Sequence, residues 1–253
     1  MANYKIIIQY DGTRYKGWQR QKTTDQTIQG KIEAILSRQY GRTIEIDGSG
    51  RTDAGVHAHG QVANFRLSDA CCAGKTPEEL CEELRQIFVQ YLPEDIAVTE
   101  VRAASERFHS RLNVVKKTYV YRIWNADYPN VFERKYMLHD NRPMDVEAMR
   151  QAAQYLLGKH DFAAFCGNAK MKKSTVRTIH EIDIRRIGEE IRFTYTGNGF
   201  LQNMIRILTG TLVDVGCGVY PPERVAEILA SKVRAEAGPT MPAQGLTLWE
   251  VIY

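Results

Sequence analysis

Long apolar runs are missing from this 253-residue sequence: no stretch approaches the roughly 20 residues that a membrane-spanning helix needs. The apolar residues near the start, Ile6–Ile8, form too short a stretch for a signal peptide, and no cleavage pattern follows them. The five cysteines include no C-x-x-C pair, and their odd number argues against a disulfide framework and a zinc site. We therefore expect a cytoplasmic protein with no membrane segment.

Nucleotide and cofactor motifs are missing as well. Neither the P-loop pattern G-x-x-x-x-G-K-[ST] nor a dinucleotide fingerprint occurs, and no reactive cysteine motif is present. We therefore expect a protein that needs no cofactor and no metal.

Positive charge is concentrated in the second part of the chain, although the net charge is only +4. Residues 106–253 carry 21 lysines and arginines against 16 acidic residues, whereas residues 1–105 carry 13 against 14. One stretch without acidic residues contains Arg107, Arg111, Lys116, Lys117 and Arg122, and a second basic cluster lies at 170–177. Such stripes suit a phosphate backbone or a solvated surface, and charge alone leaves both interpretations open.

The hydrophobic periodicity predicts two successive α+β segments. The first has strands at about 4–10, 43–47, 61–67 and 96–101, with helices at 27–40 and 77–92. The second has strands at about 116–125, 178–187, 190–196 and 246–253, with helices at 145–157, 200–216 and 222–231. The β-α-β-β-α-β order of the first is the split βαβ pattern. We expect an α+β fold of two ferredoxin-like halves, 1–105 and 106–253, with antiparallel sheets flanked by helices and a central cleft.

A glycine-rich segment, residues 48–60, is the most conspicuous candidate for chemistry. It places four glycines, two histidines, Arg51 and Asp53 between two predicted strands. Glycines at this density allow a ligand to approach the backbone closely, and loops on a rigid sheet often carry catalytic groups. Spacing alone leaves two other interpretations: a metal site of Asp53, His57 and His59, or a tight loop in which Asp53 satisfies backbone amides.

Five motifs resemble the TruA family of tRNA pseudouridine synthases. Residues 50–58, GRTDAGVHA, closely resemble the family's active-site signature. The five motifs occur along the chain in the family's order, and the other four are 10–21 (YDGTRYKGWQRQ), 108–111 (FHSR) with 117–121 (KTYVY), 199–210 (GFLQNMIRILTG) and 242–246 (PAQGL). The segment 68–74 is longer than in many members and lies outside these motifs.

The resemblance implies an isomerase that converts uridine to pseudouridine in the anticodon stem-loop of tRNA, at positions 38, 39 and 40. It implies a homodimer in which one tRNA touches both subunits. The family's catalytic aspartate corresponds to Asp53, and the neighbouring arginine that helps to displace the target nucleotide corresponds to Arg51. The substrate-contacting tyrosine corresponds to Tyr119, and the arginine that pairs with the aspartate corresponds to Arg206.

These residue types suit the reaction. An ionised carboxylate beside C1′ can attack that carbon or remove a sugar proton, and the sequence leaves both routes open. Since burial raises the pKa of a carboxyl group, a cation such as Arg206 is needed to keep Asp53 charged. On the predicted 200–216 helix, Gln202 and Arg206 are four residues apart and should share a face. Tyr119 and Tyr121 should share a strand face, and an aromatic ring there can stack on the extruded base.

Two other functions fit parts of the sequence. The basic clusters alone would also support an RNA-binding module without catalysis. Asp53 with His57 or His59 would also suit a hydrolase.

Overall fold

The computed structural model describes residues 1–168 and 170–253, in which it has ten β-strands and six α-helices besides short 3-10 turns. The strands are β1 (Ala2–Tyr10), β2 (Ile46–Gly48), β3 (His57–Leu67), β4 (Ile96–Ala104), β5 (Lys116–Trp124), β6 (Leu138–His139), β7 (Gly158–Asp161), β8 (Val176–Ile187), β9 (Glu190–Gly197) and β10 (Leu246–Ile252). The helices are α1 (Ile28–Tyr40), α2 (Asp69–Cys72), α3 (Pro77–Tyr91), α4 (Val146–Gln154), α5 (Met204–Gly216) and α6 (Arg224–Ser231).

The chain divides into two compact units. The first comprises Met1–Val115 and Leu248–Tyr253, and the second comprises Lys116–Thr247. Residues 106–115 and the end of the chain thus belong to the first unit, whereas the sequence prediction had the halves meet at 105/106.

The sheet of the first unit has β1 at its centre. This strand is antiparallel to both β3 and β4, β2 pairs with β3, and β10 lies on the other side of β3 from β1. Tyr4, Ile6, Ile8 and Tyr10 of β1 are all buried, as the period-two alternation of a strand with one covered face requires.

Clear local signals begin both long helices of the first unit and end the first of them. The Thr27 side chain accepts a hydrogen bond from the Gly30 amide at the start of α1, and Gly41, with φ of 63°, ends that helix. A capping box of Thr76 and Glu79 begins α3. Both helices also bury an apolar stripe. The sequence predicted the bounds of both helices to within one residue, because the caps and the apolar periodicity are local signals.

The sheet of the second unit has the strand order β5-β9-β8-β7, with the short strand β6 parallel to β5. The pairs β5–β9, β8–β9 and β7–β8 are antiparallel. Helix α5 is almost entirely buried, since it packs against α4 and β5. Although α5 is apolar, none of the helices in the described residues is long and apolar enough to cross a membrane.

The predicted α+β class is confirmed, with local differences. The strand expected at 43–47 is limited to Ile46–Gly48, and β6 and β7 were not predicted. Helix α5 begins at Met204 rather than near 200, because Asn203 adopts a left-handed conformation with φ of 59°. The ferredoxin-like description of the two halves stays a prediction.

Candidate active site

The glycine-rich segment leaves β2 at Gly48 and enters β3 at His57, and its first residues are fixed to β3. The Ser49 amide donates to the Val62 carbonyl at 2.7 Å. The Ser49 hydroxyl donates to Gln61 Oε1 at 2.6 Å, and Gln61 Nε2 donates to the Gly50 carbonyl at 3.0 Å. Ser49 and Gln61 are both buried, so these bonds are shielded from water and hold the loop in one position.

The middle of the loop rests on the N-terminal segment that follows β1. The Trp18 amide donates to the Thr52 carbonyl at 3.1 Å, and the Gly55 amide donates to the Tyr15 carbonyl at 3.3 Å. The hydroxyls of Tyr10 and Thr52 are hydrogen-bonded at 2.8 Å. The motifs 10–21 and 50–58 therefore form one structural piece.

Two glycines make this close approach sterically feasible. A Cβ on Gly12 would lie 2.0 Å from the Val56 carbonyl oxygen, so no side chain fits there. A Cβ on Gly17 would lie 2.7 Å from the Thr52 carbonyl oxygen, and Gly17 also has a φ of 94° that L-residues rarely adopt. Gly12 and Gly17 of the 10–21 motif thus allow the backbone of the 50–58 motif to pack closely against them.

Asp53 lies at the centre of this supported loop and is partly exposed, between the buried residues Thr52 and Val56. Its carbonyl accepts a hydrogen bond from the Val56 amide at 3.2 Å, which closes a turn with Gly55 at φ of 78°. The loop backbone is thus fixed, while part of Asp53 remains accessible to a substrate.

The two histidines of the segment have partners outside it. His57 is buried, and its Nδ1 accepts a hydrogen bond from the Gly12 amide at 3.0 Å and lies 3.3 Å from Asp11 Oδ1. Accepting through Nδ1 requires the tautomer with its proton on Nε2. The exposed His59 ring stacks on Trp249, with centroids 4.5 Å apart. In residues 1–168 and 170–253, no three His, Cys, Asp or Glu side chains are grouped to hold a metal ion.

Arg51 is the exposed cation of the loop. Its Nε donates to Gln19 Oε1 at 2.9 Å, so the guanidinium is tied to the N-terminal segment through one of its five N–H groups.

The two tyrosines of β5 have different environments. Tyr119 is nearly buried, and its ring meets Phe200 edge to face at a centroid distance of 5.4 Å. Tyr121 is fully buried, its hydroxyl donates to the Pro242 carbonyl at 2.8 Å, and burial raises its pKa. Tyr121 is therefore a packing residue.

Arg206 lies in the first turn of α5 and is held at two of its nitrogens. Nε donates to the Met241 carbonyl at 2.5 Å, and Nη1 donates to Asn203 Oδ1 at 2.9 Å. The predicted helical face shared by Gln202 and Arg206 is wrong, because Gln202 precedes the helix. The sequence indicated no role for Asn203, whose left-handed conformation and amide oxygen both support Arg206.

One residue of the predicted basic stripe is already neutralised. Arg122 is mostly buried and forms ion pairs at 2.9 Å with both Glu133 and Glu190. Both acids lie outside the 107–126 stretch, so counting charges along that stretch could not reveal them. Arg122 therefore stabilises the second unit.

Comparison with known proteins relates these features to a family. The family model described as tRNA pseudouridine synthase matches residues 6–113 and 152–253. The chain belongs to the tRNA pseudouridine synthase family. A relative from Bacillus sp. (strain KSM-64), named tRNA pseudouridine synthase A, is 50% identical over 94% of each chain. A protein from Bacillus cereus (strain ZK / E33L), named tRNA pseudouridine synthase A 2, is 44% identical over 99% of each chain. A protein from Clostridium tetani (strain Massachusetts / E88), named tRNA pseudouridine synthase A 1, is 45% identical over 100% of each chain.

The predicted site residues are distributed over both units. Asp53 and Arg51 belong to the first unit, and Tyr119 and Arg206 belong to the second. Three of them fall within the segments that the family model matches, whereas Tyr119 lies between those segments.

Proposed function

We propose that this protein is the enzyme that isomerises uridine to pseudouridine in the anticodon stem-loop of tRNA, at positions 38, 39 and 40. Family membership supports the reaction, since the relatives at 44–50% identity are named tRNA pseudouridine synthases. The main structural support is the loop around Asp53, which hydrogen bonds hold in place while Asp53 stays partly exposed. The cytoplasm, where tRNA is modified, is the proposed location.

In the proposed reaction Asp53 is the catalytic carboxylate. The C1′–N1 bond of the target uridine breaks, the detached base turns, and C5 bonds to C1′ in place of N1. The C5 proton then leaves and N1 carries a proton, so no atom is gained or lost overall. Asp53 assists this exchange either by attacking C1′ or by removing a sugar proton. Both routes need the carboxylate ionised.

Arg206 is proposed as the cation that keeps Asp53 ionised. A guanidinium next to a carboxylate favours its charged form and lowers its pKa, which offsets the loss of solvation when substrate covers the site. The bonds from Arg206 to Asn203 and Met241 support this role, since they restrict the side chain to one orientation.

Arg51 and Tyr119 are proposed to contact the target nucleotide. The uridine must leave its stack before the carboxylate can reach C1′. Arg51, two residues from Asp53 and exposed, would occupy the vacated space, and the Tyr119 ring would stack on the base or receive the C5 proton. Stacking of this kind contributes roughly 1–3 kcal/mol per base.

A homodimer is the proposed assembly. Three neighbouring apolar side chains of the second unit are strongly exposed, Tyr128 at 60%, Val131 at 58% and Phe132 at 95%. Large exposed apolar side chains often mark a contact surface, and we propose that this segment contributes to the contact between two copies of the chain.

Release of tritium from tRNA labelled at uracil C5 tests the proposed function. With unmodified tRNA, the parent protein is expected to release tritium at full rate in EDTA, because none of the proposed steps uses a metal. Sequencing of the product should place pseudouridine at positions 38–40. Binding of tRNA without any tritium release would instead support an RNA-binding module and overturn the proposal.

A further inference from the structure

The hydrogen bond between Arg51 and Gln19 is the first of a chain of polar contacts. Gln19 Nε2 donates to Gln29 Oε1 at 2.7 Å, and Gln29 Nε2 donates to Glu33 Oε1 at 2.7 Å. Gln29 and Glu33 are one turn apart on α1, and their residues are only 8% and 3% exposed. Arg51, an exposed arginine of the glycine-rich segment, is thus connected to the buried carboxylate of Glu33.

Every bond in this chain points the same way. A carboxylate such as Glu33 only accepts, so Gln29 must present its NH₂ to Glu33 and its oxygen to Gln19. Gln19 must then present its own NH₂ to Gln29, which leaves its oxygen for Arg51. Hydrogen bonds aligned in one direction polarise and strengthen each other. The orientation of the Gln19 amide is therefore determined by Glu33.

The buried end of the chain is held by further contacts. The Ile46 amide donates to Glu33 Oε1 at 3.0 Å, and Arg20 Nη1 lies 3.0 Å from Glu33 Oε2. The Arg20 amide donates to Gln29 Oε1 at 3.1 Å. The Glu33 charge is thus compensated, as a buried carboxylate requires.

A neutral oxygen holds Arg51 differently from a carboxylate. A carboxylate at position 19 would pair with the guanidinium through two parallel bonds and neutralise its charge. The Gln19 oxygen instead fixes Nε alone and leaves the positive charge available to an RNA strand.

We propose that Gln19 is a positioning residue that holds the Arg51 guanidinium ready for the tRNA, with its own orientation set by Gln29 and Glu33. This inference rests on the proposed function, in which Arg51 acts on the target nucleotide. Gln19 itself is assigned no contact with the reacting atoms.

Activity measurements test this role through a double-mutant cycle. Gln19→Ala should lower kcat/KM for tRNA about tenfold, in line with the loss of a hydrogen bond to a charged group. In an Arg51→Ala background the same change should cost nothing further. Gln19→Glu should raise KM, because the new carboxylate competes with the tRNA for Arg51. Gln39→Ala, on the exposed side of α1, is the matched control and should leave kcat/KM unchanged.

A second readout does not depend on activity. The Arg51 Nε–H proton should give a slowly exchanging resonance in ¹⁵N NMR of the parent protein and of Gln39→Ala, and it should disappear in Arg51→Lys, which assigns it. In Gln19→Ala the exchange should become fast.

Equal losses of kcat/KM from Gln19→Ala in the parent and Arg51→Ala backgrounds would overturn the positioning role. So would an Arg51 Nε–H that exchanges equally fast with and without Gln19. A protected Nε–H in a parent protein that releases no tritium would instead refute the proposed function, and the positioning role in that reaction with it.

Discussion

Gly12 and Gly17 determine how closely the 10–21 segment approaches the loop that carries Asp53. Each faces a backbone carbonyl of that loop at a distance that excludes a Cβ atom. Because Asp53 is supported by backbone contacts, small changes at these glycines should affect the reaction without touching the carboxylate.

Gly17→Ala should therefore reduce both stability and activity. The new Cβ would lie 2.7 Å from the Thr52 carbonyl oxygen at a φ of 94°, and strain of this kind costs about 1–3 kcal/mol. Gly41→Ala is the matched control, since Gly41 has a φ of 63° but no atom within 4 Å of the new Cβ. In urea unfolding, Gly41→Ala should lose as much stability as Gly17→Ala or less. In the tritium-release assay it should keep the activity of the parent. Full activity in Gly17→Ala would contradict this account of the loop.

Local composition predicted the importance of the loop around Asp53 but not the contacts of His57 and Arg122. The density of glycines around Asp53 singled out the loop, and the family resemblance assigned the carboxylate. The function of His57 could not be predicted, because its partner is the Gly12 amide, 45 residues earlier. The same holds for Arg122, whose partners Glu133 and Glu190 are brought close only by the fold of the second unit.

In helix α5, the first turn determines the position of Arg206, a proposed active-site side chain. Asn203 precedes the helix in a left-handed conformation, which asparagine tolerates better than most residues. Its Oδ1 accepts from Arg206 Nη1 at 2.9 Å, so the same residue ends the preceding loop and orients the arginine.

Asn203→Gly should lower activity with little loss of stability, because glycine keeps the left-handed backbone but removes the amide oxygen. Asn203→Ala should lower both, since the left-handed conformation costs a residue with a Cβ about 1–2 kcal/mol. Lys232→Gly, at the other non-glycine residue with a left-handed backbone among those described, should leave activity unchanged. Urea unfolding and tritium release measure the two effects. An Asn203→Gly variant as active as the parent would show that Arg206 does not depend on Asn203.

Elements with strong local signals were predicted well. Helices α1 and α3 have caps at their first turns and apolar stripes, and both were predicted to within one residue. Strand β7 has four residues without clear alternation and depends on pairing with β8, so no local pattern reveals it. The start of α5 was missed because a backbone conformation at Asn203, rather than a helix-breaking residue type, determines it.

On the scale of the whole molecule, the proposed homodimer is open to a direct test. Phe132→Asp places a charge at the most exposed large apolar side chain in the described part of the second unit and should shift the protein towards monomer in sedimentation velocity. Val89→Asp, at a 74% exposed residue of α3, is the matched control and should leave the sedimentation coefficient unchanged. A parent protein that sediments as a monomer at micromolar concentration would contradict the proposed assembly.

The proposed role of Asp53 as the catalytic carboxylate can be tested with the single substitution Asp53→Asn. The substitution keeps the size of the side chain and removes its charge, so the variant should fold and bind tRNA as the parent does. Its release of tritium from tRNA labelled at uracil C5 should fall to background, whereas Asp25→Asn, an exposed control in the same unit, should release tritium at the parental rate. Release of tritium by Asp53→Asn at the parental rate would show that Asp53 is not the catalytic carboxylate.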